Sequence, residues 1–184
     1  MKTYIELIEN LLKQDKTTGE NHSEAMLHYT RMNLKRLNRW MLKGELTPET
    51  IVAIEKINIP QKWTVLTEAW CGDAAHSMAF LWKMSEQNEW IDFEWILRDE
   101  NLDLMDQYLT NGGRSIPKLI VRDKDGNDLF DWGPRPATIQ KAFLEMKANN
   151  LPFNEMSTAL QKLYNQDKGK EIQQEISALV QAHG

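Results

Sequence analysis

The chain has 184 residues, of which 41% are apolar and 27% charged, and it carries a net charge of −5. That length buries a sizeable core without disulfide or metal staples, and an acidic balance spread along the chain argues against nucleic acid and anionic membrane as partners. No stretch approaches the roughly 20 apolar residues of a membrane span, and Cys71, the single cysteine, excludes an intramolecular disulfide.

The first 14 residues carry Tyr4, Ile5, Ile8, Leu11 and Leu12 at helical spacing, with Glu6 and Glu9 among them. This predicts a short amphipathic helix over residues 3–14. It lacks the apolar centre of a secretory leader, so a cytoplasmic protein is expected. After a polar break containing Gly19, Asn21 and Glu24 have the spacing of a capping box. The helix that follows shows a stripe of Leu27, Thr30, Leu34, Leu37 and Met41 and ends at Gly44. Lys35, Arg39 and Lys43 line another of its faces, read as solvated charge, with an anion or partner patch as the functional alternative. Thr47-Pro48-Glu49 combines an N-cap, a proline at the first helical position and an acid in the first turn, and starts a helix reaching about residue 57.

The apolar run at 63–67 predicts a central strand, followed by a helix over 73–87 and a parallel second strand over 91–97. A helix over 102–109 is expected next, closed by Asn111-Gly112-Gly113. Strands at 118–122 and 128–132 flank Asp125-Gly126, a strong hairpin signal. Gly133-Pro134-Arg135-Pro136 breaks the chain before a helix over 137–148. Two tail helices follow Leu151-Pro152, with Leu160, Leu163 and Tyr164 inward on one and Ile172, Ile176, Leu179 and Val180 inward on the other. The order β-α-β-α-β-β-α is an α/β fold with a mixed sheet.

Cys71 stands where the first strand gives way to its helix. Free amide N–H groups and the helix dipole favour an anion there, so the thiol pKa is expected to be lowered. Asp73 would oppose this by like-charge repulsion. It can instead cap the helix, which is the role expected for it, and the net effect on Cys71 has no sign from sequence. His76 lies five residues past Cys71, about 500° of helical rotation, and is expected to point away as a surface residue. His22, His28 and His183 show no metal-ligand spacing with Cys71 or the acids, and no cofactor or metal is expected. Arg98-Asp99-Glu100 follows the second strand, at the end where α/β sheets bind ligands.

The stretches Trp70-Cys71-Gly72-Asp73-Ala74, Leu97-Arg98-Asp99-Glu100-Asn101 and Gly113-Arg114-Ser115-Ile116-Pro117 together resemble the thioredoxin superfamily. More narrowly they are similar to bacterial thioredoxin-family proteins of the thioredoxin-9 type. The resemblance is strongest over residues 60–148. It implies a thioredoxin-like domain there, with a helical extension over 1–59 and a helical tail over 149–184 packed on it. It implies that Cys71 is the attacking thiol and that Ile116-Pro117 carries a cis-proline shaping a substrate groove; a trans-proline at a strand edge is the alternative. Gly133 matches the glycine that approaches the thiol, which puts Trp132 and Arg135 on the rim. There Arg135 would serve a thiolate or a peptide carboxylate, or be an ordinary surface arginine.

The sequence departs from the family pattern at the second cysteine, which is Ala74, and at the intervening proline, which is Asp73. The acid six residues before the first cysteine is Val65. The function implied is monothiol thiol–disulfide exchange in redox homeostasis. Its partners are protein thiols or disulfides, with an external thiol, small or protein-borne, for resolution. The alternative is a redox-inactive binding module using the Cys71–Pro117–Trp132 groove, with Trp70, Gly72, Asp73, Ala74 and Ile116 along it. An iron–sulfur site shared between two monomers belongs to a different motif.

Overall fold

The computed structural model describes residues 1–183. Its helices are α1 (Lys2–Leu12), α2 (Glu24–Lys43), α3 (Pro48–Glu55), α4 (Gly72–Ser85), α5 (Leu102–Met105), α6 (Ala137–Ala148), α7 (Phe153–Asp167) and α8 (Lys170–His183). Its strands are β1 (Gln61–Thr67), β2 (Ile91–Leu97), β3 (Lys118–Asp123) and β4 (Asp128–Trp132). The sheet order is β2-β1-β3-β4. β1 runs parallel to β2, through the α4 crossover, and antiparallel to β3, which pairs antiparallel with β4. This is the expected mixed α/β architecture of a thioredoxin-like fold. Among the described residues no helix is long and apolar enough to cross a membrane.

β1 is buried at six of seven positions, the pattern of a central strand covered on both faces. Trp63, Val65 and Leu66 join Met78, Phe80 and Leu81 of α4, Leu119 and Ile120 of β3, and Ile172, Ile176 and Val180 of α8 in one core. α1 adds Tyr4 and Ile8, and α2 adds Leu37 and Trp40, so the flanking helices complete this core rather than hang from it. A second, smaller cluster of Ile139, Leu160 and Tyr164 fastens α7 to α6. Leu163 and Leu179, expected inward on the tail helices, are only partly buried.

Two local expectations are corrected. The Asn21 side chain accepts a hydrogen bond from the Ser23 N–H at 3.0 Å, and α2 begins at Glu24. This short Asx turn competes with a capping box and wins. The helix expected over 102–109 lasts only through Met105. A 3-10 turn at Arg98–Glu100 takes up the preceding chain, and the Thr110–Gly113 bridge closes the segment after it. Thr47 caps α3 as expected, its hydroxyl accepting from the Thr50 N–H.

Candidate functional site

β1 delivers the chain to Trp70 and Cys71, and Cys71 is the N-cap of α4. Its Sγ accepts the Ala74 N–H at 3.4 Å, and the thiol donates to the Ile116 carbonyl at 3.3 Å. The Ile116–Pro117 peptide bond is cis. Cys71 is only 8% exposed. Burial pushes its pKa up to about 12, with the Asp73 charge raising it further against the Ala74 N–H and Arg135. The lowering favoured by the helix N-terminus is outweighed, and the net shift that the sequence left unsigned is upward. The dipole contributes up to about 2 kcal/mol, whereas burial shifts a titrating group by as much as 3–5 pKa units, roughly 4–7 kcal/mol.

Asp73 is not the cap. Its Oδ2 pairs with Arg135 Nη2 at 2.7 Å, and its Oδ1 accepts the Tyr164 hydroxyl at 2.9 Å. Burial raises the carboxyl pKa, opposed first by Arg135 and then by the Tyr164 hydroxyl. Arg135 is fixed in turn by Gln140 and by the Phe143 ring, 4.0 Å from the guanidinium carbon. Its side chain is largely buried and already paired, with the remaining surface on the groove.

His76, expected at the surface, is 3% exposed. Its ring stacks on Tyr164 with centroids 4.3 Å apart. The Trp40 indole N–H donates to Nδ1 at 2.9 Å, and Nε2 lies 2.6 Å from Gln161 Oε1. An indole nitrogen only donates, so Nδ1 carries a lone pair and the neutral ring donates from Nε2. The rotation that turns His76 from Cys71 delivers it into the junction of α2, α4 and α7.

A groove of about 520 Å³ opens beside Cys71. Trp70, Cys71, Gly72, Asp73, Ile116 and Arg135 line it, all anticipated from sequence. Arg98 of the 3-10 turn also reaches it. Ala74, in the first turn of α4, is buried and does not line the groove. Trp132 is buried and donates to Glu175 Oε2 of α8 at 2.6 Å, away from the groove. Gly133, at φ +124°, lies under Pro117, where a Cβ would stand 2.1 Å from the Pro117 carbonyl oxygen. Neither Gly133 nor the buried Pro117, both expected in the groove, lines it; Ile116 does.

Sequence reasoning missed Tyr29, Asn33 and Arg36 of α2 and Phe153 and Gln161 of α7, which form the opposite wall. It also missed Glu68, three residues before Cys71 and fully buried. Glu68 Oε1 accepts the Asp99 N–H at 3.0 Å, Oε2 has no partner, and burial raises the carboxyl pKa. An acid between Thr67 and Ala69, at the end of an apolar strand, was the available signal. Among the described residues no group of three or more His, Cys, Asp or Glu is placed to hold a metal ion.

A family model described as thioredoxin (Thioredoxin_9) matches residues 19–151, which includes α2 and α3 and stops short of α7. A crystal structure of a Pseudomonas aeruginosa protein of unknown function matches with a TM-score of 0.65 at 19% identity, covering 91% of this chain and 95% of that one. The crystal structure of an HIV epitope-scaffold matches with a TM-score of 0.63 at 17% identity, covering 96% and 98%. No curated protein matches significantly. At these identities the two structures bear on the fold alone.

Proposed function

Because the chain belongs to the thioredoxin family, we propose that it is a thioredoxin-like binding protein whose groove beside Cys71 holds a partner, with Cys71 a protonated thiol in the wall. In this reading residues 60–148 are the thioredoxin-like unit, and 1–59 and 149–184 are helical additions that complete the core and one wall of the groove. The observation that carries it is the resting thiol. Cys71 donates to the Ile116 carbonyl and has its pKa pushed up to about 12, so almost no thiolate is present at neutral pH. The groove mixes apolar surface from Met26, Tyr29 and Phe153 with a few convergent polar groups, the usual make-up of a ligand site.

A second reading, monothiol exchange, is favoured by one observation: Cys71 is the N-cap of α4 and its Sγ accepts the Ala74 N–H, a contact that favours a thiolate. In that chemistry the Cys71 thiolate attacks one sulfur of a disulfide and the other sulfur leaves as a thiolate. An external thiol must then attack the mixed disulfide, because Ala74 supplies no second sulfur. The rate of Cys71 alkylation by iodoacetamide against pH separates the two readings. The binding reading expects a midpoint well above the ~8.5 of a free thiol. A midpoint near neutrality would replace it with exchange chemistry.

A further inference from the structure

Four arginines, Arg36, Arg98, Arg114 and Arg135, line the groove beside Cys71, against a single carboxylate, Asp73. They are not equivalent. Arg135 is occupied by Asp73 and Gln140. Arg114 forks onto Asp106, and Arg98 pairs with Asp99 while covering the Trp70 ring. Arg36 has no carboxylate within 4 Å among the described residues. Its Nη1 donates to Asn33 Oδ1 at 2.7 Å, and Asn33 Nδ2 in turn donates to the Ala69 carbonyl. The guanidinium is thus aimed by a second side chain anchored to the backbone before Cys71.

What it is aimed at is the first turn of α4. A Cβ built on Gly72 would lie 3.9 Å from Arg36 Nη1, 3.9 Å from Asn33 Oδ1 and 3.4 Å from Gln161 Nε2. A cation, an amide donor and the positive end of a 14-residue helix therefore meet at one point where the chain has no side chain of its own. Burial and the nearby Arg39 charge both disfavour the Arg36 cation, which an incoming anion would relieve. The apolar surface of Met26, Tyr29 and Phe153 lines the same groove, and Arg98 and Arg114, each already paired with a carboxylate, complete its lining beside Trp70.

We propose that this groove recognises a short acidic peptide segment, with Arg36 and the first turn of α4 clamping one side-chain carboxylate and the apolar surface of Met26, Tyr29 and Phe153 holding the adjoining part of the segment. The proposal deepens the binding reading above and rests on it. One unpaired cation in a groove that also carries apolar surface suits an acidic side chain borne on a peptide better than a free compact anion.

The test is calorimetric and NMR titration of the 15N-labelled full chain with a blocked Glu-Glu-Glu tripeptide. The neutral Gln-Gln-Gln tripeptide, a neutral Leu-rich tripeptide and free glutarate are run beside it. The expected result is binding of the acidic peptide with shifts at Gly72 and the Gln161 side-chain amide. Binding should weaken with salt, fall at least tenfold in Arg36→Gln and partly recover in Arg36→Lys, which keeps the charge but not the fork. Arg31→Gln, at an exposed pair with Asp15 outside the groove, should bind like the native chain. Equal binding of acidic and neutral peptides, or an unchanged affinity in folded Arg36→Gln, overturns the acidic specificity while leaving the groove reading standing. Glutarate binding as tightly as the peptide overturns the peptide assignment. No binding by any probe, together with fast Cys71 alkylation near neutral pH, overturns both.

Discussion

Acidification should destabilise this protein through His76, and substituting that residue isolates the effect. The imidazole is held neutral by geometry: its Nδ1 lone pair receives the Trp40 indole N–H, so a proton there would break that bond. Burial lowers its pKa to about 4 from the ordinary 6.5, reinforced by the Arg36 and Arg39 charges and opposed by the Gln161 hydrogen bond. Between those values the unfolded chain binds a proton that the folded chain refuses, so stability falls as pH drops through this window. At about 1.4 kcal/mol per pKa unit the full effect is about 3 kcal/mol, most of it felt by pH 4.5. Glu68, Asp73 and Asp167 have raised carboxyl pKa values. They act in the opposite sense, binding protons more readily when folded. The comparison is therefore between the native chain and His76→Gln, where the carboxyl contributions cancel. Denaturant unfolding at pH 7.5 and 4.5 should show the native chain losing about 2–3 kcal/mol more than the variant over that interval. Parallel losses in the two proteins would refute a neutral, hydrogen-bonded His76.

Two further substitutions probe the site's electrostatics and the close approach of Gly133 to Pro117. Asp73→Asn removes the charge that raises the Cys71 pKa and frees Arg135, so the alkylation midpoint of Cys71 should move down while burial, the larger cause, keeps it above that of a free thiol; an unmoved or raised midpoint would contradict the assigned causes. Gly133→Ala places a Cβ 2.1 Å from the Pro117 carbonyl oxygen at φ +124°, where backbone rather than a flexible side chain must yield. A loss of roughly 3 kcal/mol or more is expected. A thermal melt should fall by roughly 6 °C or more for a chain of this size, and an unchanged melt would show that Gly133 does not press on Pro117.

The sheet was readable because its signals are local. The apolar run of β1, the Asp125-Gly126 turn between β3 and β4, and the Pro136 break before α6 are each short-range patterns. The bounds of β2, β4 and α6 coincide with the expected ones. The position of Cys71 at the head of α4 was equally legible. Its chemistry was not, because the deciding groups arrive from far along the chain. Tyr164 reaches Asp73 across 91 residues and Gln161 reaches His76 across 85. A local argument assigned Asp73 to the cap and His76 to solvent, and both were claimed instead by α7 and its neighbours.

That distance also separates fold from function in this chain. The family match stops at residue 151, yet Gln161 and Tyr164, which flank the first turn of α4 and engage Asp73 and His76, lie beyond it in α7. The matched region supplies a thiol at a helix N-terminus, a position that by itself stabilises a thiolate, and sets against it the Ile116 carbonyl, which favours the protonated thiol. α7 helps to enclose that helix turn and binds the carboxylate next to the thiol, and α2 contributes Asn33 and Arg36 to the wall opposite. Burial outweighs the dipole, so the sulfur rests as a hydrogen-bond donor to Ile116. The cation that remains unpaired in the groove is Arg36 rather than any group poised to take a proton. A site built this way is suited to holding an anion beside the cysteine more than to attacking a disulfide with it.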